Sequence, residues 1–225
     1  MARALRVVVA GGWYLVTARG NREEALFLSG EDRHRFLGLV SELPERFALE
    51  VHAFVLMDNH YHLLVRTPLG NLSAAIRWLN VTYSIRFNWA HRQTGHVFQG
   101  RFKAILLEDE KGVIEVARYV HLNPVRIKGL GLGKADQRRA AVAGAPDPGR
   151  ELVRRRLEAL GEYPWSSWRV YSGKDPAPRW LEVRTLRGGR GRRSMAKPRR
   201  ALRASVETPV RQGALEGSWE RRQGC

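Results

Sequence analysis

The sequence predicts an α+β fold, a ferredoxin-like split βαβ sandwich whose antiparallel sheet carries its helices on one face. Three observations point there. Short apolar, β-prone runs at Trp13–Thr17, Leu49–Met57, His60–Arg66 and Ala104–Leu107 read as four strands. Apolar stripes at helical spacing lie between the first and second runs and between the third and fourth. Asp58-Asn59 falls between the middle two runs as the turn of a tight hairpin. The resulting order, βαββαβ followed by a further helix, is that of the split βαβ domain.

The elements follow in order. The first strand ends at Arg19-Gly20-Asn21, a turn signal. Over Asp32 to Phe47, the side chains Phe36, Leu39, Val40 and Leu43 recur by threes and fours and predict a helix. Pro68 and Gly70 stop the third strand. From Asn71 to Trp89 a second helix carries Leu72, Ile76, Leu79, Tyr83 and Phe87 on one stripe, and Trp78 and Trp89, also at helical spacing, are assigned to the core. Lys111 to Leu122 is the third helix, with Val113, Val116, Ala117 and Val120 on its apolar face and Tyr119 at the edge of that face. Beyond residue 130 the pattern weakens: residues 129–149 are rich in Gly, Ala and charge, and Glu151 to Leu160 reads as one short helix. From Arg184 an Arg/Gly-rich, core-poor composition predicts disorder. The expected division is a main domain at 1–130, a variable linker and extension at 131–183, and a basic tail at 184–225.

Composition narrows the class of partner. The chain has 225 residues, 44% of them hydrophobic, enough for one well-buried domain with extensions. Thirty-nine Lys and Arg against 22 acidic residues give +17, and a surface of that sign makes nucleic acid the default partner. Residues 184–225 hold twelve Lys or Arg and three Glu, which leaves +8 on residues 1–183, so the folded part is basic as well. The single cysteine, Cys225, excludes an intrachain disulfide and a cysteine-rich metal centre, as expected of a reducing cytoplasm. No segment approaches the roughly 20 apolar residues of a membrane-spanning helix, so no membrane partner is expected.

The most informative stretch is Asp58-Asn59-His60-Tyr61-His62-Leu63-Leu64-Val65. Side chains alternate along a strand, so His60 and His62 share one face and Tyr61 takes the other. Two imidazoles side by side on a rigid strand can chelate one divalent cation, although such a pair is by itself more often structural. Phe54 to His62, together with Thr17-Ala18-Arg19-Gly20-Asn21, Thr94-Gly95-His96-Val97-Phe98-Gln99-Gly100-Arg101-Phe102-Lys103, Tyr119-Val120-His121-Leu122-Asn123-Pro124-Val125-Arg126 and Tyr163-Pro164-Trp165-Ser166-Ser167-Trp168, resembles the single-tyrosine HUH transposases of bacterial insertion sequences, and among them the branch associated with repetitive extragenic palindromes (REP). The resemblance covers residues 12–130 and 163–173.

The resemblance implies a metal-dependent single-stranded DNA endonuclease and strand transferase acting through a 5′-phosphotyrosine, with hairpin DNA as substrate and a monomer or homodimer as the working unit. It makes Tyr119 the nucleophile, His60 and His62 metal ligands, and Asn123, one helical turn beyond Tyr119, a third ligand through its amide oxygen. Mg²⁺ or Mn²⁺ is the cofactor it implies, whereas two imidazoles and an amide oxygen favour Mn²⁺ or Zn²⁺ on donor chemistry alone. Pro124 is expected to push Asn123 out of α geometry, which equally suits a helix cap. His52 is expected to be buried, His121 to be structural or close to a phosphate, and His34, His91 and His96 to have no clear partner. Arg77, Arg86, Arg92, Arg101, Lys103 and Arg126 are the candidate phosphate contacts, with Phe102 between Arg101 and Lys103 either a base-stacking ring or a core residue. The competing readings are a non-catalytic DNA-binding regulator on the same fold and an RNA-binding module using its sheet face. In neither does the histidine pair have a task.

Overall fold

The structure, a computed structural model, describes residues 8–186 and 196–215. These divide into two compact units: residues 8–52, 56–108 and 179–182, and residues 53–55, 109–178, 183–186 and 196–215. The tyrosine helix therefore falls in the second unit, whereas the sequence places it in one domain with the sheet.

In the first unit, β1 (Gly12–Arg19), α1 (Gly30–Phe47), β2 (Glu50–Leu56), β3 (His60–Thr67), α2 (Leu72–His91) and β4 (Lys103–Leu107) follow the expected order. The strands lie in the order β2-β3-β1-β4, with β1 antiparallel to both β3 and β4, which is the split βαβ sheet. The register sets Thr17 opposite both His62 and Lys103, and Arg19 opposite His60. Directly opposed residues share a face, so Thr17, His62 and Lys103 form a row across three strands. β2 is bordered by a parallel bridge from Val51 to Leu181, and the Glu182 N–H donates to Val51 O at 2.8 Å.

α1 begins at a capping box: the Asp32 N–H donates to Ser29 Oγ at 3.2 Å, and the Ser29 N–H to Asp32 Oδ2 at 3.1 Å. Its Phe36, Leu39, Val40 and Leu43 are all buried, as their spacing requires. Phe36 packs its ring on Tyr61 of β3 at 4.8 Å and on Tyr83 of α2 at 5.1 Å, and the Tyr61 hydroxyl donates to Asn80 Oδ1 of α2 at 2.7 Å. The helices thus cover the Tyr61 face of the sheet, and His60 and His62 belong to the other face. His52 is buried as expected, beside Trp13 with ring centroids 4.2 Å apart, whereas His91, expected to have no clear partner, is bonded to the buried carboxylate of Asp32 at 2.8 Å. The assignment of Trp89 to the core is overturned: it is 85% exposed, because Leu72, Ile76, Leu79, Tyr83 and Phe87 turn the opposite side of α2 inward. Trp78 is half-buried against Phe47 and beneath the Arg46 guanidinium.

The second unit is helical. α3 (Glu110–Leu122) starts at Asp109, whose carboxylate accepts from the Gly112 N–H at 2.6 Å, and passes into a 3₁₀ turn at Asn123–Val125. α4 (Lys134–Ala143), α5 (Gly149–Glu162), α6 (Trp168–Ser172) and α7 (Ala196–Gln212) follow. α4 lies where the sequence pattern is weakest. α7 lies inside the stretch expected to be disordered, yet Leu202, Val206, Val210 and Leu215 are buried. Two polar side chains hold this C-terminal stretch. The buried Arg156 guanidinium donates to the carbonyls of Leu130 at 2.9 Å and Val210 at 3.2 Å. Gln137 donates to Gly213 O at 3.0 Å and accepts from the Leu215 N–H at 2.6 Å. The remainder of the basic tail, residues 187–195 and 216–225, lies outside the described residues.

Candidate active site

His60 and His62 lead β3, their ring centroids 5.0 Å apart and their planes nearly perpendicular. Both rings are anchored through Nδ1. His60 Nδ1 is 2.7 Å from Asn59 Oδ1, an acceptor to which it donates. His62 Nδ1 is 2.8 Å from Thr17 Oγ1, its cross-strand neighbour. A bond at one ring nitrogen restrains the ring orientation, as the partners of metal-binding histidines do. Two imidazoles side by side on one strand face are a donor set that fits a divalent cation. Among the described residues no group of three or more His, Cys, Asp and Glu side chains could hold a metal, so any further ligands must be of another kind.

The β1 end supports this pair. The Gly20 N–H donates to Asn59 O at 2.8 Å, tying β1 to the turn that orients His60. A Cβ at Gly20 would lie 2.1 Å from Glu24 O, so the chain passes here only without a side chain. The Asn21 N–H donates to Val97 O and the Gln99 N–H to Arg19 O, both at 2.9 Å, which joins the Thr17–Asn21 and Thr94–Lys103 stretches. Of those stretches the sequence assigns a task only to Arg101, Phe102 and Lys103. Thr17, which holds His62, was missed because register across a sheet is not written in either strand alone, while Asn59 beside His60 was read only as a turn residue.

In the second unit, Tyr119 is half-buried near the end of α3, with the Arg126 guanidinium carbon 5.0 Å from its ring centroid. Asn123 Nδ2 donates to Tyr119 O at 2.8 Å, an i to i−4 bond that caps the helix. The expectation that Pro124 would drive Asn123 out of α geometry fails: Asn123 has φ −52° and ψ −44°. Pro124 stands in the first turn of the 3₁₀ segment, where its missing N–H costs no bond. Tyr14, Tyr61, Tyr83 and Tyr171 are buried, and burial raises the hydroxyl pKa of Tyr61 and Tyr83 above that of a free phenol. Of the six tyrosines, Tyr119 and Tyr163 are the half-buried ones.

His121 is structural. It is fully buried, its Nε2 is 2.9 Å from Ser167 Oγ, and its ring lies against Trp168 and Tyr171. Burial pulls its pKa down to about 3. Ser167 Oγ accepts in turn from the Phe54 N–H at 2.9 Å, which gives the Tyr163–Trp168 stretch its place in this unit.

The basic residues divide by surroundings. Arg77, Arg86, Arg92, Arg101 and Lys103 are exposed, while Arg126 is half-buried against Tyr119. Phe102 is 7% exposed, so the Arg101-Phe102-Lys103 alternation sets two cations outward and the ring inward, and its role as a stacking platform gives way to a core role. Among the described residues no helix is long and apolar enough to cross a membrane.

Residues 13–123 match the family described as "Transposase IS200 like". No curated protein matches the chain. Among solved structures, one described as a REP-associated tyrosine transposase bound to a REP hairpin is similar with a TM-score of 0.53 at 17% identity, over 86% of this chain and 99% of that one. At that identity the likeness is one of fold.

Proposed function

Since the chain belongs to the IS200-like transposases, enzymes that cleave and rejoin DNA, we propose that it is a metal-dependent single-stranded DNA endonuclease and strand transferase using Tyr119 as nucleophile on hairpin DNA. The observation that carries this reading is that His60 and His62 stand side by side on one face of β3, ring centroids 5.0 Å apart, each ring restrained by a bond at Nδ1. The burial of four of the other five tyrosines supports Tyr119 as the hydroxyl that reaches a phosphate. Hairpin DNA is proposed because the similar solved structure is described with a REP hairpin bound.

In this reading the Tyr119 Oη attacks the scissile phosphorus and loses its proton. The P–O3′ bond breaks, the 3′ oxygen leaves as a hydroxyl, and the 5′ phosphate stays on the tyrosine. An incoming 3′-OH then attacks the phosphotyrosine and releases the phenol, so strands are exchanged without ATP because the phosphodiester energy is retained in the link. Arg126, beside the Tyr119 ring, would neutralise the phosphate as charge builds on its oxygens. His60 and His62, with the Asn123 amide oxygen as proposed third ligand, would hold Mg²⁺ or Mn²⁺. Such an ion, when bound, supplies Lewis-acid stabilisation of that charge, worth several kcal/mol.

The test is a denaturing gel of protein incubated with hairpin DNA labelled on the 3′ side of the cut, with Mn²⁺. Wild type should give a covalent adduct. Tyr119→Phe keeps the ring and removes the attacking oxygen, so it should bind DNA and give no adduct. An adduct of equal yield in that variant would move the chemistry to Tyr163, and cleavage without adduct in wild type would indicate a water nucleophile.

A further inference from the structure

α2 buries one side of its surface in the first unit and shows the other to solvent. Along the outer side Val81, Ile85 and Trp89 follow at steps of four residues, which places them on one stripe, and they are 50%, 65% and 85% exposed. A continuous apolar stripe of this kind on a folded surface marks an interaction site. Its surroundings narrow the occupant. No Asp or Glu occurs between Leu72 and His91, while Arg77, Arg86 and Arg92 are exposed along and just beyond the helix. A second copy packed antiparallel across Ile85 would bring two arginine-bearing faces together with no carboxylate on either helix to offset them. A polyanion meets no such cost, and one with flat apolar groups between its charges satisfies the stripe as well.

We propose that the outer face of α2 binds unpaired DNA flanking the hairpin, a base stacking on Trp89 and phosphates meeting Arg77, Arg86 and Arg92. The proposal rests on the DNA-processing reading above and adds to it a surface that cleavage itself does not use. Tyr61, on the helix-covered face of β3, bonds to Asn80 of α2, whereas His60 and His62 lie on the opposite face of the same strand. The stripe thus faces away from the histidines. It suits a segment passing around the unit, not the strand at the scissile phosphate. The indole supplies a sequence-tolerant platform for any base, and Val81 and Ile85 supply apolar contact for sugars.

The experiment measures the affinity of the full chain for two fluorescent probes, one hairpin carrying unpaired extensions and the same hairpin trimmed to its stem, together with its mass in solution. Trp89→Ala should weaken the extended probe by ~5- to 100-fold, the range for losing one stacked base, and leave the trimmed probe within about twofold. Trp89→Phe, which keeps a ring, should recover most of the loss. Unchanged affinity for the extended probe, or equal weakening of both probes, overturns the proposal. A drop in oligomeric mass with DNA affinity intact also overturns it and assigns the stripe to a second copy. No cleavage is read, so failure here leaves the Tyr119 chemistry standing, and failure of the adduct test leaves this result to be decided by binding.

Discussion

The histidine pair and the tyrosine stand on different kinds of element. His60 and His62 stand on a strand paired along its length to β1, and each ring is anchored by a directional hydrogen bond of 2.7 or 2.8 Å. Tyr119 stands where α3 passes into a 3₁₀ turn, and its ring faces the Arg126 guanidinium at 5.0 Å, an attraction with little angular preference. The difference matches the tasks proposed for them. Metal ligands must be set within about half an ångström and 10–20° of their working geometry, which strand pairing and the bonds from Thr17 and Asn59 supply. A nucleophile that carries a phosphate through the reaction cycle gains from a neighbouring cation, which Arg126 supplies.

The contrast is most severely tested at the histidines. Replacing both with Ala should lower cleavage by about a thousandfold, the several kcal/mol of a lost cation, and change DNA affinity only a few-fold. Cleavage and binding assays on one preparation check this, and unchanged cleavage would sink the metal assignment. Thr17→Val tests the anchoring itself. It keeps side-chain volume and removes the His62 partner, and it should raise the Mn²⁺ needed for half-maximal cleavage by roughly 10- to 100-fold, with Thr17→Ser close to wild type.

Asn123→Ala separates two roles in one side chain. Loss of the bond to Tyr119 O should cost about 1 kcal/mol of stability in urea melts. A ligand role should also raise the Mn²⁺ requirement about tenfold, and stability loss without that shift would leave Asn123 a cap alone. The effect of pH falls on stability alone. His121 has a folded pKa of about 3 against 6.5 in a free chain, so below pH 6.5 the unfolded chain takes up a proton that the folded one refuses. Its contribution is intact above pH 6.5 and declines by up to ~1.4 kcal/mol per pH unit as pH falls towards 3. Urea melts at pH 7.5 and 5.5 should show this decline, and His121→Gln should flatten it.

The sheet was legible because alternation, turn residues and two helical stripes agree from Gly12 to Leu107. The pairing that makes the histidines useful was not, since Thr17 and His62 are 45 residues apart and only register joins them. His91 and Asp32 are a similar case, 59 residues apart. α4 escaped because its buried Gln137 offers no apolar stripe to detect. α7 was different: Leu202, Val206 and Val210, at steps of four, were readable, but the surrounding arginines dominated the composition. Trp89 shows the limit of periodicity. Spacing says which residues share a face and leaves open which face turns inward.

Arg156 sets a boundary on how the chain can be shortened. Its guanidinium is buried against carbonyls of Leu130 and Val210, and Val210 lies in the stretch that composition alone would discard as a removable tail. A stop codon near residue 184 would take the Val210 acceptor from that cation and strip away Leu202, Val206 and Val210 with the helix that carries them. Loss of DNA binding in such a truncation would therefore report damage to the second unit as much as loss of positive charge. Charge reversal at exposed tail positions, with the helix left in place, is the edit that isolates electrostatics.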